Sequence, residues 1–116
     1  MADCLFCAIV AGDIPADIVW TDEQTVAFRD INPQAPVHVL VVPRRHIVNA
    51  SEVTRADGDE VAALIEAAKA VADAEGIGAE DRGYRLVFNV GRDALNSVDH
   101  LHLHVLGGRT FDWPPG

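Results

Sequence analysis

Residues 99–108 read DHLHLHVLGG, with His100, His102 and His104 at every second position and Leu101, Leu103 and Val105 between them. A strand sends successive side chains to opposite faces. Read as a strand, the stretch turns an aliphatic face to a core and three imidazoles the other way. Imidazole titrates near neutrality, takes either tautomer, and can attack, donate a hydrogen bond or bind a metal. Three in strict alternation, followed by Gly107 and Gly108, point to a site rather than to a half-exposed strand that happens to be rich in histidine.

Outward from this stretch, other segments follow the period of two. DIVW (17–20) and TVAFRD (25–30) read as strands joined by a polar turn, and YRLVFNV (84–90) alternates as a strand. VHVLVVP (37–43) is an almost continuous apolar run, as in a central strand, ended by Pro43. Residues 4–11 fit a short helix stopped by Gly12. From Thr54, a plausible N-cap, Val61, Leu64, Ile65, Ala68, Val71 and Ala72 follow helical spacing up to Gly76. Five strands and one long helix, without regular strand–helix alternation, predict an α+β fold. Its five-stranded antiparallel sheet carries the long helix on one face, beside a short N-terminal helix. At 116 residues the chain suits a single domain, 1–116.

Composition narrows the function. Hydrophobic residues make up 49% of the chain, as in a globular protein. Eighteen acidic against nine basic residues give a net charge of −9, which argues against a nucleic-acid partner. A small nucleotide stays compatible, because backbone N–H groups can hold one phosphate locally. No apolar run approaches a membrane span, and MADCLFCAIVAGDIPAD lacks the basic start of a signal peptide. The two cysteines, Cys4 and Cys7, are too close for a disulfide framework, and a cytoplasmic location is expected.

His-Leu-His-Leu-His-Val-Leu (100–106) resembles the signature of the histidine-triad (HIT) superfamily. FRDINPQAPVHVLVVPRRHI (28–47), GYRLVFNVG (83–91), SVDHLHLHVLGGR (97–109) and WPPG (113–116) are similar, in the same order, to its histidine-triad nucleotide-binding branch. The resemblance implies a HIT-like fold and a homodimer that hydrolyses purine nucleoside phosphoramidates of the adenosine 5′-monophosphoramidate type. It makes His102 the nucleophile at the α-phosphorus, through a nucleotidyl-histidine, and places His100, His104 and Ser97 in the same catalytic set. An imidazole nucleophile splits one hard displacement into two easier ones, provided its second nitrogen has an acceptor for its proton. Asn89 matches a phosphate contact, and Asp30, able to accept both ribose hydroxyls, matches the ribose reader. Ser97, Asn89 and Asp30 also fit ordinary loop and turn chemistry, and His104 a hydrogen-bonded sheet histidine. Leu5, Phe6, Ile9, Phe28 and Ile31 match an apolar pocket for the base and fit plain core equally well.

The resemblance also implies zinc held by Cys4, Cys7, His46 and His100, a Cys2His2 set suited to a closed structural site. Two reduced buried cysteines are the alternative; a redox pair is less fitting, because no strand leads into Cys4-x-x-Cys7. In the terminal FDWPPG, Trp113 is implied to border the partner subunit's site, or else lies on a frayed end. The chain departs from the family pattern in GRDALN (91–96). There the loop is often glycine-rich with a glutamine, and here it carries Leu95 and Asn96. Arg29 stands where a neutral residue or histidine is common. Two rival functions remain: a dinucleoside polyphosphate hydrolase, and a nucleotide-binding regulatory protein with incidental hydrolysis. Gly-Gly-Arg and WPPG favour the phosphoramidate branch.

Overall fold

The computed structural model describes residues 4–116; Met1 to Asp3, which open the N-terminal stretch read above, lie outside the described residues. In chain order the elements are helix α1 (Leu5–Ala11), strands β1 (Ile18–Thr21), β2 (Thr25–Arg29) and β3 (Val37–Pro43), helix α2 (Gly58–Ala74), and strands β4 (Tyr84–Val87) and β5 (Leu103–Gly107). The five strands form one sheet in the order β1-β2-β3-β5-β4, with every neighbouring pair antiparallel. This is the expected α+β architecture.

β3 is apolar apart from His38 because both of its faces are covered. Val39 and Val41 join Ala27, Leu103 and Val105 in a core under α2, where Leu64, Ala67, Ala68, Val71 and Ala72 are buried. The alanines let the helix axis approach the sheet closely. Leu40 and Val42 point the other way and pack with Val26 and Phe28 against Phe6 and Ile9 of α1. The sequence reading covered one face with the long helix; the short helix shields part of the second. α1 is capped at its start by Cys4, whose sulfur accepts the Cys7 N–H at 3.3 Å, and at its end by Gly12, left-handed at φ 83°. Thr54 does act as a cap, but of a short 3-10 turn, Arg55–Asp57, that leads into α2. The Asp57 carboxylate accepts the Thr54 N–H at 2.9 Å in return.

Two strands are shorter than their patterns. β4 ends at Val87, so Phe88, Asn89 and Val90 leave the sheet. β5 begins at Leu103, so His100, Leu101 and His102 form a bent approach to the strand rather than sheet. Register explains it: Leu103 pairs with Val41, and beyond that point the Leu101 N–H donates to the Ile47 carbonyl (2.6 Å) instead of to β3. Alternation survives without the ladder, since Leu101, Leu103 and Val105 are all buried. The two glycines after the triad have separate reasons. A Cβ on Gly107 would stand 2.6 Å from Cδ1 of Ile77, and Gly108 lies at φ 91° beside Pro36.

Candidate active site and metal cluster

Alternation in β5 and its approach turns the even-numbered side chains away from α2, towards the face that α1 shields. A cavity of about 390 Å³ opens there. Its walls include Leu5, Phe6, Ile9, Phe28 and Ile31, together with Asp30, Asn89, Ser97, His102 and His104. Phe6, Ile9 and Phe28 are at once wall and core, being buried, whereas Leu5 and Ile31 are exposed rim. Two of the residues singled out stand elsewhere. His100 is fully buried, not on an accessible imidazole face, and belongs to a separate cluster. Trp113 is 83% exposed and lies over the Arg85 guanidinium, outside the cavity wall of its own chain.

Hydrogen bonds set the tautomers of the cavity histidines. His102 places Nδ1 2.7 Å from the His100 carbonyl oxygen. A carbonyl only accepts, so Nδ1 carries the proton and Nε2 keeps its lone pair. The Phe6 ring holds the imidazole edge to face, centroids 5.1 Å apart. His104 is oriented by a residue the sequence reading passed over, His38 in β3. The Gln34 N–H donates to His38 Nδ1 at 3.0 Å, so the proton of His38 sits on Nε2. From there it is donated to His104 Nδ1 at 2.8 Å. His104 is left with its proton on Nε2, a buried donor with no partner among the described residues. The signal for His38 was a lone polar residue in the apolar run of β3, with the same parity as Leu40.

This polar chain requires neutral rings. Burial pushes the His38 pKa down, with Asp30 opposing. Burial, reinforced by His102 and His38, lowers His104 to about 4. Asp30 accepts the Asn32 N–H on Oδ1 at 2.8 Å and has Oδ2 3.4 Å from His38 Nε2. Asp30, His38 and His104 are close enough to suggest metal ligands. Their hydrogen-bonded nitrogens, however, are nearer than the roughly 3.4 Å that two nitrogens ligating one ion at tetrahedral angles require. The trio is a hydrogen-bond chain.

The other cluster does fit a metal. The sulfurs of Cys4 and Cys7 and the Nδ1 atoms of His46 and His100 all lie within 4.8 Å of one another. His100 Nδ1 is 3.3 Å from the Cys4 sulfur and 3.4 Å from that of Cys7, and His46 Nδ1 is 3.3 Å from Cys7. Tetrahedral zinc separates sulfur from nitrogen ligands by about 3.5 Å. His100 donates its Nε2 proton to the Pro43 carbonyl at 2.8 Å, which leaves Nδ1 as the lone pair facing both sulfurs. Burial raises the Cys7 thiol, so taking up a metal there would release a proton.

The profile of the HIT domain family matches residues 11–111. The chain is 46% identical over 114 residues to an uncharacterized HIT-like protein of Synechococcus elongatus, covering 98% of this chain and 97% of that one. A HIT family hydrolase from Legionella pneumophila superposes with a TM-score of 0.94 at 48% identity, over 98% of this chain and 100% of its own. A zinc-bound histidine triad family protein from Mycobacterium smegmatis superposes with a TM-score of 0.80 at 34% identity, over 97% of this chain and 79% of its own.

The depressed His104 pKa carries a stability consequence. Relative to an unfolded value of 6.5, a folded value of about 4 gives stabilisation that is complete above 6.5 and is lost as pH falls towards 4. Urea unfolding should show this loss across that window, the share of His104 amounting to about 3 kcal/mol. His104→Gln should flatten the slope by up to one proton; a slope identical to wild type would contradict the assignment.

Proposed function

Because this chain belongs to the HIT domain family, we propose that it is a nucleotide-binding hydrolase cleaving purine nucleoside phosphoramidates. The observation that carries the reading is the pairing, in one cavity, of a free Nε2 lone pair on His102 with a buried, unpartnered Nε2–H on His104. One is a nucleophile and the other a donor awaiting an anionic oxygen. The relatives named as hydrolases support the same class.

In this reading the base lies among Phe6, Ile9 and Phe28, and the ribose hydroxyls meet the Asp30 carboxylate. His102 Nε2 attacks the α-phosphorus, the P–Nε2 bond forms and the P–N bond to the leaving amine breaks. The Ser97 hydroxyl donates a hydrogen bond to the departing nitrogen, which takes a proton from solvent water as it leaves. His104 Nε2–H and Asn89 hold the non-bridging oxygens. Water then attacks phosphorus and gives a proton back to solvent, the P–Nε2 bond breaks, and the nucleoside monophosphate is released with His102 restored. Throughout, the proton stays on His102 Nδ1 and is donated to the His100 carbonyl oxygen, which stabilises the charge the ring acquires.

Zinc on Cys4, Cys7, His46 and His100 would act structurally, binding the start of α1 to the approach of β5. The closed four-ligand set and the zinc-bound relative support it. A homodimer is supported by the place of β4 at the sheet edge, with Leu86, Val90 and Trp113 exposed near it. Trp113 would then border the partner's cavity.

His102→Ala should lower turnover of adenosine phosphoramidate by roughly 10⁴ or more while AMP still binds; hydrolysis within tenfold of wild type would refute the nucleophile. Wild type should also favour that substrate over a dinucleoside polyphosphate. Protein purified without chelator should contain about one zinc per chain, and Cys4→Ser should lose zinc and melt lower. A zinc-free wild type of undiminished stability would remove the metal. Light scattering should give a dimer at micromolar concentration, and deleting residues 111–116 should alter relative rates among leaving groups. A monomer, or a truncation that changes no relative rate, would overturn the role of Trp113.

A further inference from the structure

Leu95 adopts a left-handed backbone at φ 61° and ψ 31°, and it is the one non-glycine residue with positive φ among the described residues. The turn leaves it no choice: the Leu95 N–H donates to the Arg92 carbonyl at 3.0 Å and the Asn96 N–H to the Gly91 carbonyl at 3.1 Å. Glycine takes this conformation freely, and asparagine or aspartate can repay it with a local hydrogen bond; leucine does neither. Nor does burial offset the strain, because Leu95 is 86% exposed. The fold therefore gains nothing from an apolar side chain at this position.

The cavity gives it a use. Leu95 forms part of the wall that also holds Ser97 and His102, and its exposure puts it at the mouth rather than in the depth. The apolar requirement of a base is already met by the buried Phe6 and Phe28. The unmet position lies two residues before Ser97, on the loop that would face whatever departs from phosphorus. We propose that Leu95 is a specificity-determining residue, an apolar lip selecting phosphoramidates whose leaving amine carries an alkyl or aryl body over those that release ammonia. This rests on the phosphoramidate reading above.

The experiment compares wild type, Leu95→Gly and Leu95→Ala on two adenosine phosphoramidates, one releasing ammonia and the other an aromatic ethylamine. Wild type should prefer the aromatic amine in kcat/KM. Both variants should reduce that preference roughly tenfold, the size expected for losing one partly buried aliphatic contact. Leu95→Gly should also melt higher than Leu95→Ala, because glycine relieves the positive φ that alanine keeps. A preference unchanged in both variants, or lost in the glycine variant alone, overturns the lip. So does a parallel fall in AMP affinity, which would set Leu95 against the nucleoside. A folded wild type that hydrolyses neither compound defeats the phosphoramidate reading and the lip together, whereas an active wild type with no Leu95-dependent preference defeats the lip alone.

Discussion

Strand β3 has to satisfy two cores at once, and the site follows from that. Its odd residues, Val39 and Val41, are committed to α2, and its even residues, Leu40 and Val42, to α1. A slip of one residue would exchange the two sets and pull His38 into the core beneath the helix, so the register is strongly held. In that register Leu40 lies opposite His104 and Leu106 opposite His38. The two imidazoles are thus diagonal neighbours on one face and close to a 2.8 Å hydrogen bond.

That bond decides the electrostatics of the cavity. The positive charge beside Asp30 in the cavity wall, that of Arg29, is engaged elsewhere. Arg29 donates to Glu75 through both terminal nitrogens, at 2.5 and 3.0 Å, and pairs with Asp17. The cavity instead offers a neutral relay that begins at the Gln34 N–H and ends at the unpartnered His104 Nε2–H. A neutral donor costs less to bury than an isolated charge, and it is fixed in place before any ligand arrives. The local interactions also fix the departure from the family pattern: the turn at 91–96 compels a left-handed residue at position 95, whatever its side chain.

His100 joins the two clusters. Its ring faces the sulfurs of Cys4 and Cys7 through Nδ1 and the Pro43 carbonyl through Nε2, while its own carbonyl accepts the His102 Nδ1 proton. Any group that fixes this residue fixes the acceptor that sets the tautomer of His102. The two cavity histidines are therefore oriented independently, His104 from β3 and His102 from its neighbour two residues back along the chain.

Much of this was legible in the sequence, because period and punctuation are local. Strict alternation assigned the aliphatic and imidazole faces, the run 37–43 matched β3 residue for residue, and helical spacing with Gly76 bounded α2. The cysteine and histidine set and the polar residues Asp30, Asn89, Ser97, His102 and His104 of the cavity were named from motif positions, whereas Ile14, Pro15, Ala16, Leu40 and Val98 of its wall were not. What pattern could not supply came from contacts between distant segments. The start of β5 depends on where β3 stops offering partners, so His100 reads as strand and folds as a buried, separately bonded residue. His38 resembles one polar interruption of a buried strand until pairing brings His104 against it, 66 positions away in the chain. Tautomers, depressed pKa values and the exposure of Leu95 likewise exist only in the folded chain. Side-chain periodicity is written residue by residue, whereas hydrogen-bond partners and burial are set by register and packing, which no single segment contains.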